Sequence, residues 1–320
     1  MTPRLTRLTV IAVLAPLTGC AVPAGDGADV GGAAAGPPEQ APVTRYRCGD
    51  TAVDLVGTGA TAWLNAGCRR YRLERVRTAS GAKYAGRGGA VSVWSHGARA
   101  RVVLDGRVLP ECVAALSRPY EARGNEPGWH LELRDSRLVL VADYGERRVD
   151  RPAPAPEPVA GGRRYRAPGS GGADAVTVTV REGPCADDMT GMPHPHRVEV
   201  SLDGRTLRGC GGDPRALLAG RRWRVTGMPA AGHTDAGAYT LRFRRDGRVT
   251  GRAAGRRYAG TYTLTPATLR LSGLAAAGNG AAPRLLRLLA DVRRFGIADD
   301  GALILHTGDG RRLRAVGEAQ

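Results

Sequence analysis

From about residue 44 onward, apolar and polar positions alternate over short runs. Val176, Val178 and Val180 are separated by Thr177 and Thr179, and Val198, Val200 and Leu202 repeat that period before Asp203-Gly204. A period of two sends one face of a strand inward. Asp-Gly supplies the positive φ that a two-residue hairpin turn needs. The same dipeptide recurs at 105–106, 246–247, 300–301 and 309–310, each time between candidate strands. The expected fold is therefore mainly β and antiparallel. One stretch carries the helical period instead. Leu285, Leu288, Leu289 and Val292 fall at i, i+3, i+4 and i+7, with Pro283 near the start and Gly296 beyond. This predicts one helix, over 284–294, packed on a sheet. The Pro-rich run Arg151 to Gly162 reads as a loop or linker.

Composition narrows the class. In 320 residues, 46 Gly and 21 Pro suit a turn-rich β chain, and a hydrophobic content of 42% still supplies packed cores. No apolar run reaches the ~18 residues of a membrane-spanning helix, which excludes a polytopic helical membrane protein. The formal charge is +17, and Lys83 is the one lysine among the 47 basic residues. That excess is uneven: +7 over residues 44–116, −1 over 117–213 and +12 over 214–320. Two basic segments thus flank a balanced one, and such fields favour an anionic partner.

The N-terminus reads as an export address. Arg4 and Arg7 precede the short apolar stretch Leu8 to Leu17, the layout of a secretory signal. Its ending, Leu17-Thr18-Gly19-Cys20, resembles the lipobox of bacterial lipoproteins. The resemblance implies cleavage after residue 19 and lipidation of Cys20, with several acyl chains (palmitate among them) giving stable attachment. Ala21 after the cysteine is compatible with sorting to the periplasmic face of an outer membrane. Residues 20–43 then form a Gly/Ala/Pro tether, and an export address sets nucleic acid aside as a partner. Five further cysteines remain: Cys48, Cys68, Cys112, Cys185 and Cys210. An oxidising compartment permits disulfides among them without fixing the pairing. The leftover thiol is expected to be buried and inert.

Three further resemblances divide the mature chain. Tyr46-Arg47-Cys48, Ser80-Gly81-Ala82-Lys83-Tyr84, Trp94-Ser95-His96-Gly97 and Cys112 lie in residues 44–116. This segment is similar to the membrane-bound inhibitors of c-type lysozyme (MliC). The resemblance implies a small antiparallel β-barrel closed by a Cys48–Cys112 disulfide, and a loop that enters the lysozyme cleft. Its site residues map to Ser80, Gly81, Lys83, Tyr84, Trp94 and His96, where His96 stands in place of the family's lysine. Lysozymes work with a pair of carboxylates. A hydroxyl donor and a cation aimed at such a pair form charge-assisted hydrogen bonds, which are strong ones.

Gly124-Asn125-Glu126-Pro127-Gly128-Trp129, Asp143-Tyr144-Gly145, Cys185, Asp188-Met189-Thr190-Gly191 and Gly209-Cys210 lie in residues 117–213. They resemble an envelope-lipoprotein family of unassigned function, with Gly128 replacing its usual Phe. A Cys185–Cys210 disulfide would staple the hairpin around Asp203-Gly204. His194-Pro195-His196 reads as a sharp turn with exposed imidazoles in preference to a metal site. Leu218 to Trp223, Leu241-Arg242-Phe243, Asp246 to Gly251, Tyr258 to Tyr262 and Leu269-Arg270-Leu271 lie in residues 214–320. They resemble the META domain, which implies a β fold with one packed helix and core roles for Trp223, Phe243 and Tyr262.

The chain has no GxSxG, P-loop, HExxH or GxGxxG opening a helix. No catalytic set, cofactor or metal is expected. The reading that results is a non-enzymatic lipoprotein of the cell envelope that inhibits a c-type lysozyme by occluding its cleft. The alternative is a scaffold or envelope-stress lipoprotein that holds anionic glycolipid or wall polymer on its arginine-rich faces.

Overall fold

The computed structural model describes residues 41–169, 175–229, 232–233, 238–278 and 283–318. The signal, Cys20 and most of the tether lie outside the described residues. Three antiparallel sheets follow one another along the chain.

The first holds β1 (Val43–Cys48), β2 (Thr51–Val56), β3 (Thr61–Ala66), β4 (Arg69–Val76), β5 (Ala82–Ala85), β6 (Ser92–His96), β7 (Arg99–Leu104), β8 (Arg107–Val108) and β9 (Cys112–Ala114). Its order is β6-β5-β4-β3-β2-β1-β9-β7-β8, and an added β6–β7 pairing closes it into a barrel. Alternate side chains fill the interior, among them Tyr46, Leu64, Leu73, Val93 and Val102. Cys48 pairs with Cys112 both in the β1–β9 register and by a disulfide across a separation of 64 residues.

The second sheet holds β10 (Tyr120–Asn125), β11 (Gly128–Leu133), β12 (Arg137–Ala142), β13 (Arg147–Pro152), β14 (Pro156–Val159), β15 (Gly162–Ala167), β16 (Val176–Ala186), β17 (Pro193–Leu202) and β18 (Arg205–Gly211). Val176, Val178, Val180, Val198, Val200 and Leu202 are all buried in its core, as their alternation requires. Cys185 and Cys210 form its disulfide. The Pro-rich run expected to be a linker is instead the end of β13, a short connection and β14. These two strands are the opposite edges of the sheet. An edge strand tolerates proline because half of its N–H groups face outward, and the missing donors discourage further pairing.

The third sheet holds β19 (Arg222–Met228), β20 (Gly232–His233), β21 (Thr240–Phe243), β22 (Arg248–Ala253), β23 (Arg256–Leu264), β24 (Leu269–Ala276), β25 (Val292–Ile297), β26 (Leu303–Thr307) and β27 (Arg312–Glu318). A one-turn helix, α1 (Arg215–Leu218), leads into it, and α2 (Arg284–Ala290) packs on β24. The helix expected over 284–294 is thus shorter. Leu285, Leu288 and Leu289 bury its inner face, but Val292 opens β25, where Val292 and Phe295 reach the same core from a strand. Three of the six residues of β25, Val292, Phe295 and Ile297, are β-branched or aromatic, and sheet pairing with β26 overrides the helical spacing. Trp223, Phe243 and Tyr262 are core residues, the last two edge to face with centroids 5.2 Å apart.

Among the described residues, each Asp-Gly dipeptide joins two consecutive strands. At 105–106 and 203–204 both residues have positive φ, the requirement of a type I′ hairpin turn. The sheets also touch. Tyr165 Oη accepts a hydrogen bond from the Leu116 backbone N–H at 3.3 Å, and Arg163 donates to Ala114 O at 2.7 Å. Met192, from the turn before β17, is buried in the third sheet's core.

Candidate functional site

Two turns meet at one end of the barrel. Residues 77–81 connect β4 to β5, and Gly97-Ala98 connect β6 to β7. The β5–β6 register sets Ala82 opposite Ser95 and Lys83 opposite Trp94, which carries Ser80 to the side of His96. Ser80 Oγ lies 3.0 Å from His96 Nε2. Trp94 Nε1 donates to Ser80 O at 3.2 Å, and the indole and imidazole rings are 4.9 Å apart. Lys83 Nζ sits 5.7 Å over the indole, a cation–π contact at an exposed site. Trp94 is 37% exposed, so its ring is presented to solvent while its N–H fixes the turn. Tyr84 is different: it is buried in the barrel, and its hydroxyl ties Gly59 O at 3.3 Å. It supports the site from behind.

Gly81 is what allows so tight an arrangement. Its φ is +71°, and a Cβ there would lie 2.1 Å from Ser95 O. Only glycine accepts both the left-handed conformation and the contact.

Two side chains that sequence reasoning passed over complete the turn. Thr78 Oγ1 donates to Ser80 O at 3.0 Å, and Ser95 Oγ donates to Ala82 O at 3.2 Å. A Thr two residues ahead of Ser-Gly is a turn signal that was available in the sequence; the Ser95 bond depends on strand register and was not.

Beside the pair runs a groove of about 460 Å³, lined by Trp94, His96, Arg99, Arg101, Val108 and Glu111. Arg99 braces it, reaching Glu111 at 3.3 Å and Val159 O of β14 at 2.8 Å. Lys83, Arg99 and Arg101 outnumber Glu111, the one carboxylate in the lining, and leave this end basic. It offers donors, an exposed indole and positive charge.

The remaining expected positions lie elsewhere. Cys68 is exposed at the β3–β4 turn, and no described cysteine is a free thiol. The buried, inert thiol expected from the odd cysteine count is therefore not what the fold contains. His194-Pro195-His196 is not a sharp turn either: it opens β17. Both imidazoles are half-buried, with His194 Nδ1 2.8 Å from Gly212 O and His196 Nε2 3.5 Å from Glu182. Among the described residues no group of three or more His, Cys, Asp or Glu could hold a metal ion.

In the Gly124 to Trp129 motif, Trp129 is buried and Asn125 donates to Asp187 and Asp188. Tyr144 lies over Gly128, where a Cβ would come 2.8 Å from its ring, and its hydroxyl donates to Glu126 at 2.9 Å. A Phe at 128 would displace Tyr144.

Comparison with known proteins assigns the two ends of the chain. Residues 46–109 match the family model "Membrane-bound lysozyme-inhibitor of c-type lysozyme", and residues 216–320 match the META domain. A comparison with curated proteins returned no match. Among solved structures, an NMR structure of a protein from Burkholderia xenovorans aligns at 20% identity with a TM-score of 0.27, covering 34% of this chain and 90% of that one. The crystal structure of BBS1N in complex with ARL6DN aligns at 10% identity with a TM-score of 0.19, covering 89% and 94%. At these scores neither informs the fold. The first family is one of inhibitors and not of enzymes, and it is membrane-bound. The chain therefore carries a lysozyme-inhibitor-type domain near its N-terminus and a META domain at its C-terminus, flanking a central sheet that neither match reaches.

Proposed function

We propose that the protein is a lipid-anchored inhibitor of a c-type lysozyme, held at the envelope through Cys20 and acting by insertion of the Ser80–His96 end of the barrel into the glycosidase cleft. The observation that carries this reading is the Ser80–His96 pair, fixed at 3.0 Å by Gly81, Thr78 and Trp94 at an exposed barrel end.

The pair has two donor states. With neutral His96 protonated on Nδ1, Nε2 accepts the Ser80 proton and the hydroxyl is used internally. With the imidazolium, Nε2–H donates to Ser80 Oγ, and the hydroxyl proton is released to point outward at a carboxylate. The cation beside it strengthens that bond. The groups facing the pair are Lys83 and Trp94 from the barrel end, and Arg99, Arg101 and Glu111 from the groove.

The test is competition. A chitooligosaccharide that fills the lysozyme cleft should displace the chain, mature from Ala21, in a binding titration. Simultaneous binding of both ligands would refute cleft insertion.

A further inference from the structure

The outer face of β19, β21, β22 and β23 carries a cluster of arginines. Thr240 stands opposite Arg224 and Arg252, and Arg252 stands opposite Arg257. One residue pair further along the strands, Arg242 stands opposite Thr250 on the same face. Around these side chains, with Arg222, is a groove of about 500 Å³.

Like charges directly across a ladder destabilise it, and several other arginines of this sheet have a local acid that offsets their charge. Arg248 pairs with Asp246, Arg311 with Asp309 and Arg314 with Asp300. Glu318 serves Arg222 at 3.5 Å and Arg224 at 3.7 Å. Arg242, Arg252 and Arg257 are exposed and make no ion pair with any described residue. Three unneutralised guanidinium groups around one concavity form an anion site.

From this we infer that the META sheet binds a linear phosphodiester polymer, independently of what the N-terminal barrel does. Guanidinium forks match phosphate oxygens two at a time. Arg252 and Arg257 form one row, and Arg242 lies in the next, about 7 Å along the strands; two successive phosphates of a chain can occupy the two rows. The lining has no exposed ring for stacking on sugars or bases: Tyr258 is buried, and its hydroxyl is used on Thr240 O at 3.0 Å. A bilayer is the poorer fit, because none of the exposed large hydrophobic side chains among the described residues falls within 214–320.

The test titrates the mature chain with polyglycerol phosphate, with phosphatidylglycerol vesicles and with inorganic phosphate as separate arms. Arg242→Ser/Arg252→Ser/Arg257→Ser is compared with a charge-matched control, Arg270→Ser/Arg294→Ser/Arg312→Ser. The expected result is polymer binding that weakens with salt and falls more than about tenfold in the groove variant. The slope of log affinity against log salt should drop by about 2, the counterions released by three arginines. The control should stay within about twofold. The groove variant should also melt no lower than the wild type at low salt, since it loses like-charge contacts. Equal losses in both variants, vesicle binding as tight as polymer binding, no polymer binding by the wild type, or a lower melting temperature in the groove variant would each overturn the inference.

Discussion

Gly81→Ala tests whether the barrel end is held as described. The alanine must adopt a φ near +71°, and its Cβ starts 2.1 Å from Ser95 O. The left-handed conformation alone costs a non-glycine residue about 1–2 kcal/mol. Relieving the contact means separating β5 from β6 at the Ala82–Ser95 register. That movement breaks the Trp94-to-Ser80 bond, worth about 1 kcal/mol net. The sum is roughly 2–3 kcal/mol, or about 30- to 150-fold in a local opening equilibrium. Hydrogen exchange by mass spectrometry on the full chain reads this directly. Peptides spanning 78–100 should lose protection by that factor, while peptides from 240–276 should not change. Protection at 78–100 within about twofold of the wild type would mean that glycine is not what holds the turn.

Three further outcomes are expected. Cys48→Ser with Cys112→Ser opens a loop of 64 residues and should destabilise the barrel by about 4 kcal/mol, read by urea unfolding of β1–β9 peptides; a loss under about 1 kcal/mol would contradict the closure argument. Burial opposes ionisation of Asp187, but hydrogen bonds from Thr190, Asn125 and Met189 outweigh it and hold the carboxyl below the usual carboxylate range. A depressed folded-state value means that its contribution is complete above the ordinary Asp range near 4 and is lost as pH falls through the folded value, so amides 189–192 should lose protection only on the acid side of about pH 4. Loss already at neutral pH would refute this. His96→Ala removes the partner that holds Ser80 Oγ at 3.0 Å and should weaken inhibition of a c-type lysozyme about 2- to 12-fold, and unchanged inhibition would mean that the pair is not what the enzyme meets.

Much of the fold was legible because its signals are local. The valine alternation of β16 and β17 and the Asp-Gly turns act within a few residues, and each appears where the pattern places it. Misreadings arose where sheet context decided. Pro156 to Val159 looks like linker, yet an edge position makes its missing donors harmless. Val292 keeps helical spacing but is claimed by pairing with β26. The histidines of 194 and 196 read as a turn, whereas their partners Gly212 and Glu182 come from just beyond β18 and from β16.

At the candidate site, motif resemblance named Ser80, Trp94 and His96, and only β5–β6 register shows that they touch. The arginine groove was invisible as a site. A charge of +12 over 214–320 says nothing about which arginines lack partners, and that depends on four strands lying side by side.

The central claim rests on Ser80. The decisive measurement is the inhibition constant of the chain from Ala21 against a c-type lysozyme on cell walls, beside Ser80→Ala. Loss of a donor from a dry interface costs roughly 1–3 kcal/mol, so inhibition should weaken about 5- to 150-fold, with exchange protection of the barrel unchanged. Equal inhibition by both proteins, or none by the wild type at acidic and neutral pH, would contradict the account.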